Sequence, residues 1–293
     1  MFKKKDAGAL SHNDRIYLQN AAKTLAANIR FSSAINPLGV VGITSSVPNE
    51  GKTTVAYMLG EAMASSGTNV LLMDCDFRNR SLAKKAQVHP RRGIYGVLAG
   101  QCKLSDAVVS LRTPRLYLLD VEPGIPNPVD VLSSKRFASL MQHLRKQFGF
   151  IIVDTPPLSA FVDAAVVSQN TDGMLLVVRD EYTKRQELLD AYSQLKKADA
   201  NVIGTVLNFC SADHSGNYYS YYSKGEKKRS SLFGSDVDPD WDAPRIPSMD
   251  GAAAVGFDGA DTIGATGAAG VAPASPFTGE ATSAASHSES QGR

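Results

Sequence analysis

Between residues 40 and 208 the chain repeats one pattern. Short runs of Val, Ile, Leu and Met alternate with longer stretches whose apolar residues recur at helical spacing. Six short runs read as strands buried on both faces: residues 40–44, 70–74, 116–120, 150–154, 174–179 and 202–208. After Lys52, the residues Val55, Met58, Leu59, Ala62 and Met63 form one helical stripe, and Gly67 sits at its C-terminal end. Phe137, Leu140, Met141, Leu144 and Phe148 form a second, with Ser133 or Ser134 as N-cap. A third opens at Thr183, with Gln186 completing a capping box, and carries Leu188, Leu189, Tyr192 and Leu195. A further helix is expected over residues 17–31. Strands alternating with helices predict an α/β fold, a mostly parallel sheet with helices on both faces. Ligands then bind beyond the carboxyl ends of the strands.

The pattern stops near Lys224. Of the 43 residues from Gly251 to Arg293, 31 are Ala, Gly, Ser, Thr or Pro. Such a segment buries too little apolar surface to offset its ordering entropy, so a disordered tail is expected. The predicted organisation is an N-terminal arm (1–16), an α/β domain (17–215), a tyrosine-rich segment (216–223) and the tail (224–293). The longest plain apolar run, residues 174–178, is far short of the roughly 18 that a spanning helix needs. The basic start is followed by no signal-peptide core. Three distant cysteines, Cys75, Cys102 and Cys210, make no disulfide framework, and a reducing cytoplasm is the simplest compartment. A formal net charge of +2 gives no reason to expect nucleic acid as a partner.

The chemistry begins after the first strand. Ser45-Ser46-Val47-Pro48-Asn49-Glu50-Gly51-Lys52-Thr53-Thr54 leads into the first long helix. Strand, loop, Gly-Lys-Thr and helix stand in P-loop order, so the fold expected is P-loop NTPase-like. In such a loop the backbone N–H groups and the helix N-terminus face nucleotide phosphates. Lys52 reaches the β- and γ-phosphates, the Thr53 hydroxyl is a Mg²⁺ ligand, and Gly51 lets the backbone pass close. Ser46 stands where the strict pattern has its first glycine. Two later strands end in acids: Asp74 with Asp76 after residues 70–74, and Asp154, followed by Thr155, Pro156 and Pro157. Asp154 is the candidate Mg²⁺ carboxylate. A second acidic strand end is more than a simple ATPase needs, and suggests either more metal ligation or a base for an attacking hydroxyl.

These residues carry a family resemblance. The loop, the Asp74-Cys75-Asp76-Phe77-Arg78 block and Ile151-Ile152-Val153-Asp154-Thr155-Pro156-Pro157 resemble the Walker A, A′ and B motifs of bacterial tyrosine kinases of the capsule and exopolysaccharide biosynthesis family. Residues 93–100, Pro123-Gly124-Ile125-Pro126-Asn127-Pro128 with Leu132-Ser133-Ser134-Lys135, Asp163-Ala164-Ala165 and Val206-Leu207-Asn208 match as well, and the resemblance covers about residues 18–223. It implies Mg²⁺- and ATP-dependent phosphorylation of protein tyrosines, including the chain's own. ATP would be held by Ser46, Asn49, Glu50, Gly51, Lys52, Thr53, Thr54 and Asn208, and Mg²⁺ by Thr53, Asp76 and Asp154. The catalytic set would be Lys52, Asp74, Asp76 and Asp154, with the work of the three carboxylates not apportioned. It further implies a membrane-anchored activator of the polysaccharide co-polymerase type, and hence a cytoplasmic protein at the inner face of the membrane through that partner.

Asn217-Tyr218-Tyr219-Ser220-Tyr221-Tyr222-Ser223 holds four of the chain's ten tyrosines. The resemblance makes Tyr218, Tyr219, Tyr221 and Tyr222 the phosphoacceptors, although in the family this cluster ends the chain. Phosphates there would change a segment that Lys224, Lys227, Lys228 and Arg229 make basic. Other positions depart from the family too. Asn20, Lys23 and Ala26 replace a Glu-x-x-Arg-x-x-Arg pattern that supports ring oligomers. Asn49 stands where Gly is frequent, and Arg80 where Pro is common. Asp236, Asp238, Asp240 and Asp242 alternate, but Trp241 and Pro247 occupy the Gly and Glu positions of a calcium loop, so an acidic linker is expected. The runner-up function is a nucleotide-switch ATPase of the septum-placement and partitioning type. Those proteins carry an extra lysine early in the loop, where this chain has Val47, and lack the tyrosines. A third reading is a weakly ATP-binding docking subunit.

Overall fold

A computed structural model describes residues 12–33, 37–125 and 127–210. The expected acceptor tyrosines and the tail lie outside them. The described residues fall within one compact unit. The strands are β1 (Val40–Ser45), β2 (Val70–Asp74), β3 (Val108–Ser110), β4 (Leu116–Leu119), β5 (Phe150–Asp154), β6 (Gly173–Arg179) and β7 (Val202–Asn208). The longer helices are α1 (His12–Ser33), α2 (Lys52–Ser65), α7 (Lys135–Gln147) and α9 (Arg185–Lys197). Shorter ones are α3 (Ser81–Ala86), α4 (Ile94–Leu98), α5 (Leu104–Ala107), α6 (Pro128–Leu132) and α8 (Asp163–Ser168).

The strands form one seven-stranded sheet in the order β3-β4-β2-β5-β1-β6-β7. Every pairing is parallel except β3 with β4. The three strands that carry the candidate chemistry, β2, β5 and β1, are therefore neighbours at the centre. Their register sets Asp74 beside Asp154, and Asp154 beside Ile43.

Side-chain alternation along the central strands builds two cores. Leu71, Met73, Ile151 and Val153 face Phe137, Leu140, Met141 and Leu144 of α7. Val70, Leu72, Val41, Ile43 and Ile152 face Ala56, Leu59 and Met63 of α2, and Ala26 and Ile29 of α1 lie in the same cluster. A smaller cluster joins Met174 and Leu176 of β6 to Ala191 and Leu195 of α9. The helices thus cover both faces, as the alternation predicts.

Several expectations shift in detail. The first helix begins at His12, ahead of residue 17, and Ala26, one of the former ring-motif positions, is buried in the core. β3 was not expected, because a three-residue edge strand has no period to read. The third helix starts at Arg185 and not at Thr183. Its capping carboxylate is Glu187, which accepts from the N–H of Lys184 at 3.0 Å. Leu189 and Tyr192 of its expected stripe are exposed. Gly67 follows α2 at φ +93°, as its place in the sequence requires.

Of the two N-cap candidates for α7, Ser134 is the one used. Its hydroxyl oxygen accepts from Phe137 N–H at 3.1 Å and its O–H donates to the Val131 carbonyl at 2.7 Å. Ser134→Ala should cost about 1 kcal/mol. The check is urea unfolding, where the midpoint falls with an unchanged slope. An unchanged midpoint would show that the cap carries no stability.

Candidate active site

The loop after β1 turns twice through left-handed backbone, at Asn49 (φ +67°) and Gly51 (φ +89°). Asn tolerates that region better than most residues, so it serves where the family often has Gly. Gly51 has a second constraint. A Cβ there would lie 2.2 Å from Nδ2 of Asn208 and 3.1 Å from the Phe209 ring.

The loop is braced from inside. Glu50 is fully buried, and its carboxylate accepts from Val47 N–H at 2.7 Å, from Arg179 N–H at 3.4 Å and from the Thr183 hydroxyl. Thr183 therefore supports the loop and does not cap α9. Asn208, at the end of β7, donates from Nδ2 to the Glu50 carbonyl at 2.9 Å and accepts from Phe209 N–H at 2.9 Å. Arg179 donates to the Asn49 carbonyl at 3.3 Å and lies between the rings of Tyr182 and Phe209, at 4.6 and 4.4 Å. The side chains of Glu50 and Asn208, expected at the nucleotide, are thus spent on holding the loop. Ser46 is buried and its hydroxyl has no partner. Thr54 is half-buried on the first turn of α2.

Lys52 and Thr53 open α2 facing the acids. Lys52 Nζ stands 3.4 Å from Asp76 Oδ2 and 4.0 Å from Asp154 Oδ1. The Thr53 hydroxyl is 3.0 Å from that of Ser81. The three carboxylates, alike in the sequence, have different surroundings. Asp74 Oδ1 accepts from Asp76 N–H at 2.9 Å and Oδ2 from Leu82 N–H at 3.2 Å, so both its oxygens fasten the segment between β2 and α3. Burial, with Asp154 alongside, pushes its carboxyl well above the usual range, and the two N–H groups pull it back. Asp76 uses Oδ1 to accept from the N–H groups of Arg78 (3.3 Å) and Asn79 (3.0 Å), which leaves Oδ2 toward Lys52. Asp154 is fully buried, and neither oxygen accepts a backbone N–H. Burial raises its pKa to about 6, with the charge of Lys52 and the Thr53 hydroxyl opposing and the charge of Asp76 adding to the rise.

A supporting layer escaped the sequence reading. Arg80 pairs with buried Asp120, just past β4. Arg78 pairs with buried Asp163 at the start of α8 and lies 3.8 Å over the Phe161 ring. Asp120 was visible as a strand-end acid, but nothing in its spacing named a partner. Ser81 carries no sequence signal at all. Among the described residues no three His, Cys, Asp or Glu side chains stand close enough to hold a metal alone.

The raised pKa of Asp154 predicts a stability change. The folded state holds this proton more tightly than the unfolded chain does. Between about pH 4 and about 6, rising pH therefore removes stability, about 1.4 kcal/mol per unit and about 3 kcal/mol in all. Asp154→Asn should raise the melting temperature of the nucleotide-free protein near neutral pH, and the gain should vanish near pH 4. A melting temperature at or below wild type at neutral pH would show that Lys52 outweighs burial.

A family model described as "AAA domain" matches residues 48–203. The tyrosine-protein kinase CpsD of a Streptococcus pneumoniae serotype 4 strain is 32% identical over 185 residues, 63% of this chain and 81% of that protein. The solved kinase domain of the Escherichia coli tyrosine kinase ETK superposes with a TM-score of 0.62 at 27% identity, covering 66% of this chain and 77% of that one. The cell division ATPase MinD of Pyrococcus furiosus fits less well, with a TM-score of 0.50 at 26% identity over 58% of this chain and 72% of its own. The switch-ATPase alternative is thus the weaker fit. The chain belongs to the bacterial tyrosine kinases of the capsule biosynthesis family, and is a protein-tyrosine kinase on a P-loop α/β fold.

Proposed function

We propose that the site transfers the γ-phosphoryl group of ATP to tyrosine hydroxyls, and that Tyr218, Tyr219, Tyr221 and Tyr222 of the chain itself are acceptors. The observation that carries the assignment of roles is the unequal commitment of the three acids. Asp74 is tied to backbone at both oxygens and positions the A′ segment. Asp154, buried and held by no backbone N–H, is the group left to meet a cation. Asp76 presents one oxygen toward Lys52 and is the base.

In the transfer, the bond from the γ-phosphorus to the β-phosphate oxygen breaks and a bond to the tyrosine oxygen forms. The phenolic proton passes to Asp76, and ADP leaves. A phenol with a pKa near 10 needs such an acceptor at neutral pH. Lys52 neutralises the transferred phosphoryl charge, and the loop N–H groups after Gly51 orient the phosphates. When bound, Mg²⁺ would offset charge on the phosphate oxygens, with Thr53, Asp154 and Asp76 as the oxygen donors at hand.

The wider role proposed is control of capsular or exopolysaccharide synthesis and export. A membrane-anchored activator of the co-polymerase type would bring the kinase to the inner face of the membrane. Among the described residues no helix is long and apolar enough to cross a membrane, which fits attachment through a partner. The domain limits proposed are 17–215 for the kinase, 216–223 for the acceptor segment and 224–293 for the tail.

The test is phosphopeptide mass spectrometry of the full chain after incubation with Mg²⁺ and ATP, with and without the cytoplasmic peptide of a candidate activator. Phosphate is expected on the 218–222 tyrosines. It should fall by about 10²–10³-fold in Lys52→Met and in Asp76→Asn with circular dichroism spectra unchanged. Asp74→Asn should instead lower the melting temperature. ATP hydrolysis without phosphotyrosine in any condition would overturn the assignment in favour of a nucleotide switch.

A further inference from the structure

The near-zero net charge conceals a separation. Residues 77–105 contain Arg78, Arg80, Lys84, Lys85, Arg91, Arg92 and Lys103, and no Asp or Glu. Residues 236–242 contain four Asp and no cation. Part of this stretch, Phe77–Arg80, Ala83, Lys84 and Gln87–Pro90, lines a cleft of about 660 Å³, and Lys85 and the Arg91-Arg92 pair adjoin lining residues in the chain. Arg78, Arg80, Lys84 and His89 line its polar side, and Val88 and Pro90 its apolar wall. The charges of Arg78 and Arg80 are balanced from beneath by buried Asp163 and Asp120. Lys84, Lys85, Arg91 and Arg92 enter no ion pair among the described residues. Lys84, Lys85, Arg91 and Arg92 are also exposed.

We propose that this cleft is the docking surface for the chain's own acidic segment, Asp236–Asp242, bound in cis. Charge complementarity is the first argument. The four acids alternate, so an extended strand would present them along one edge. Trp241, between two of them, supplies an aromatic face for the apolar wall or for an arginine. The tyrosine cluster is a poorer occupant, because Lys224, Lys227, Lys228 and Arg229 beside it carry the cleft's own sign. Reach is ample. The 26 residues from 211 to 236 extend to about 90 Å at most, and a domain of this size has a radius of gyration near 16 Å. Tethering also supplies an effective concentration of the order of millimolar, enough to favour a weak electrostatic contact over a foreign peptide. The segment absent from the family pattern then has a place in the cleft that begins next to Asp76.

Trp241 is the chain's single tryptophan, so its fluorescence reports on this segment alone. Acrylamide quenching of the full-length protein at low salt should be several-fold weaker than that of a free peptide spanning 233–245. High salt should raise it to the peptide value. The Lys84→Glu, Lys85→Glu double variant should do the same with its circular dichroism unchanged. Adding Asp238→Lys and Asp240→Lys to that variant should restore protection. Quenching equal to the peptide's in the wild type would overturn the proposal. So would protection that survives the double lysine variant. Protection that grows with protein concentration would overturn docking in cis. None of these readouts depends on phosphotransfer, so they stand apart from the test of the kinase reaction.

Discussion

Two carboxylates end neighbouring parallel strands in register at the buried centre of the sheet. Asp74 and Asp154 cannot both be ionised there without compensation, since no water reaches either one. Two backbone N–H groups offset part of the burial of Asp74, whose carboxyl still stands well above the usual range. Asp154 has only the Lys52 ammonium, at 4.0 Å, and the Thr53 hydroxyl to favour its charge. At an effective dielectric constant of about 20, that attraction is about 4 kcal/mol before desolvation is counted. It does not offset burial, because the Asp154 pKa remains near 6. The free site is therefore short of positive charge, and a bound cation is the natural remedy. The sheet's central register creates this demand before any nucleotide arrives.

The demand can be used only if Lys52 stays in place, and that task falls to strands that bring no reacting group. Glu50 ties the loop to the end of β6 and to Thr183. Asn208 ties it to the end of β7. Arg179 closes the same corner between two aromatic rings. A buried carboxylate with three donors is stable where an unpaired one is not. Glu50 and Asp154 are both fully buried, and the contrast between them is that Glu50 has three hydrogen-bond donors while Asp154 has no backbone N–H.

Much of this was legible in the residues, and the illegible parts share a cause. Strands 70–74, 150–154 and 202–208 match the expected spans, because buried parallel strands are continuous apolar runs ended by polar residues. The meeting of Lys52, Asp76 and Asp154 follows from motif order on a known topology. The division of labour among Asp74, Asp76 and Asp154 does not, since it depends on which backbone N–H groups a turn aims at each oxygen. The same holds for Thr183, where a capping pattern and a buried acid compete for one hydroxyl and the acid wins. Glu187 then caps the helix from one position later. The sequence offers the local option; tertiary contact decides.

Two departures from the family pattern, Asn49 and Arg80, lie beside the site. Asn49 holds its left-handed turn without glycine. Arg80, where proline is common, reaches Asp120 past β4, while Arg78 reaches Asp163 at the start of α8. Between them lies the turn whose N–H groups, from Arg78 and Asn79, hold one oxygen of Asp76 and leave the other facing Lys52. Proline would stiffen that turn through its fixed φ. Here Arg80 stiffens it through its buried pair with Asp120, beside the Arg78–Asp163 pair, and loss of either acid's partner would strand a charge in the core. The proline and the Arg80 pair differ in chemistry, and both act on the turn that orients the Asp76 carboxylate.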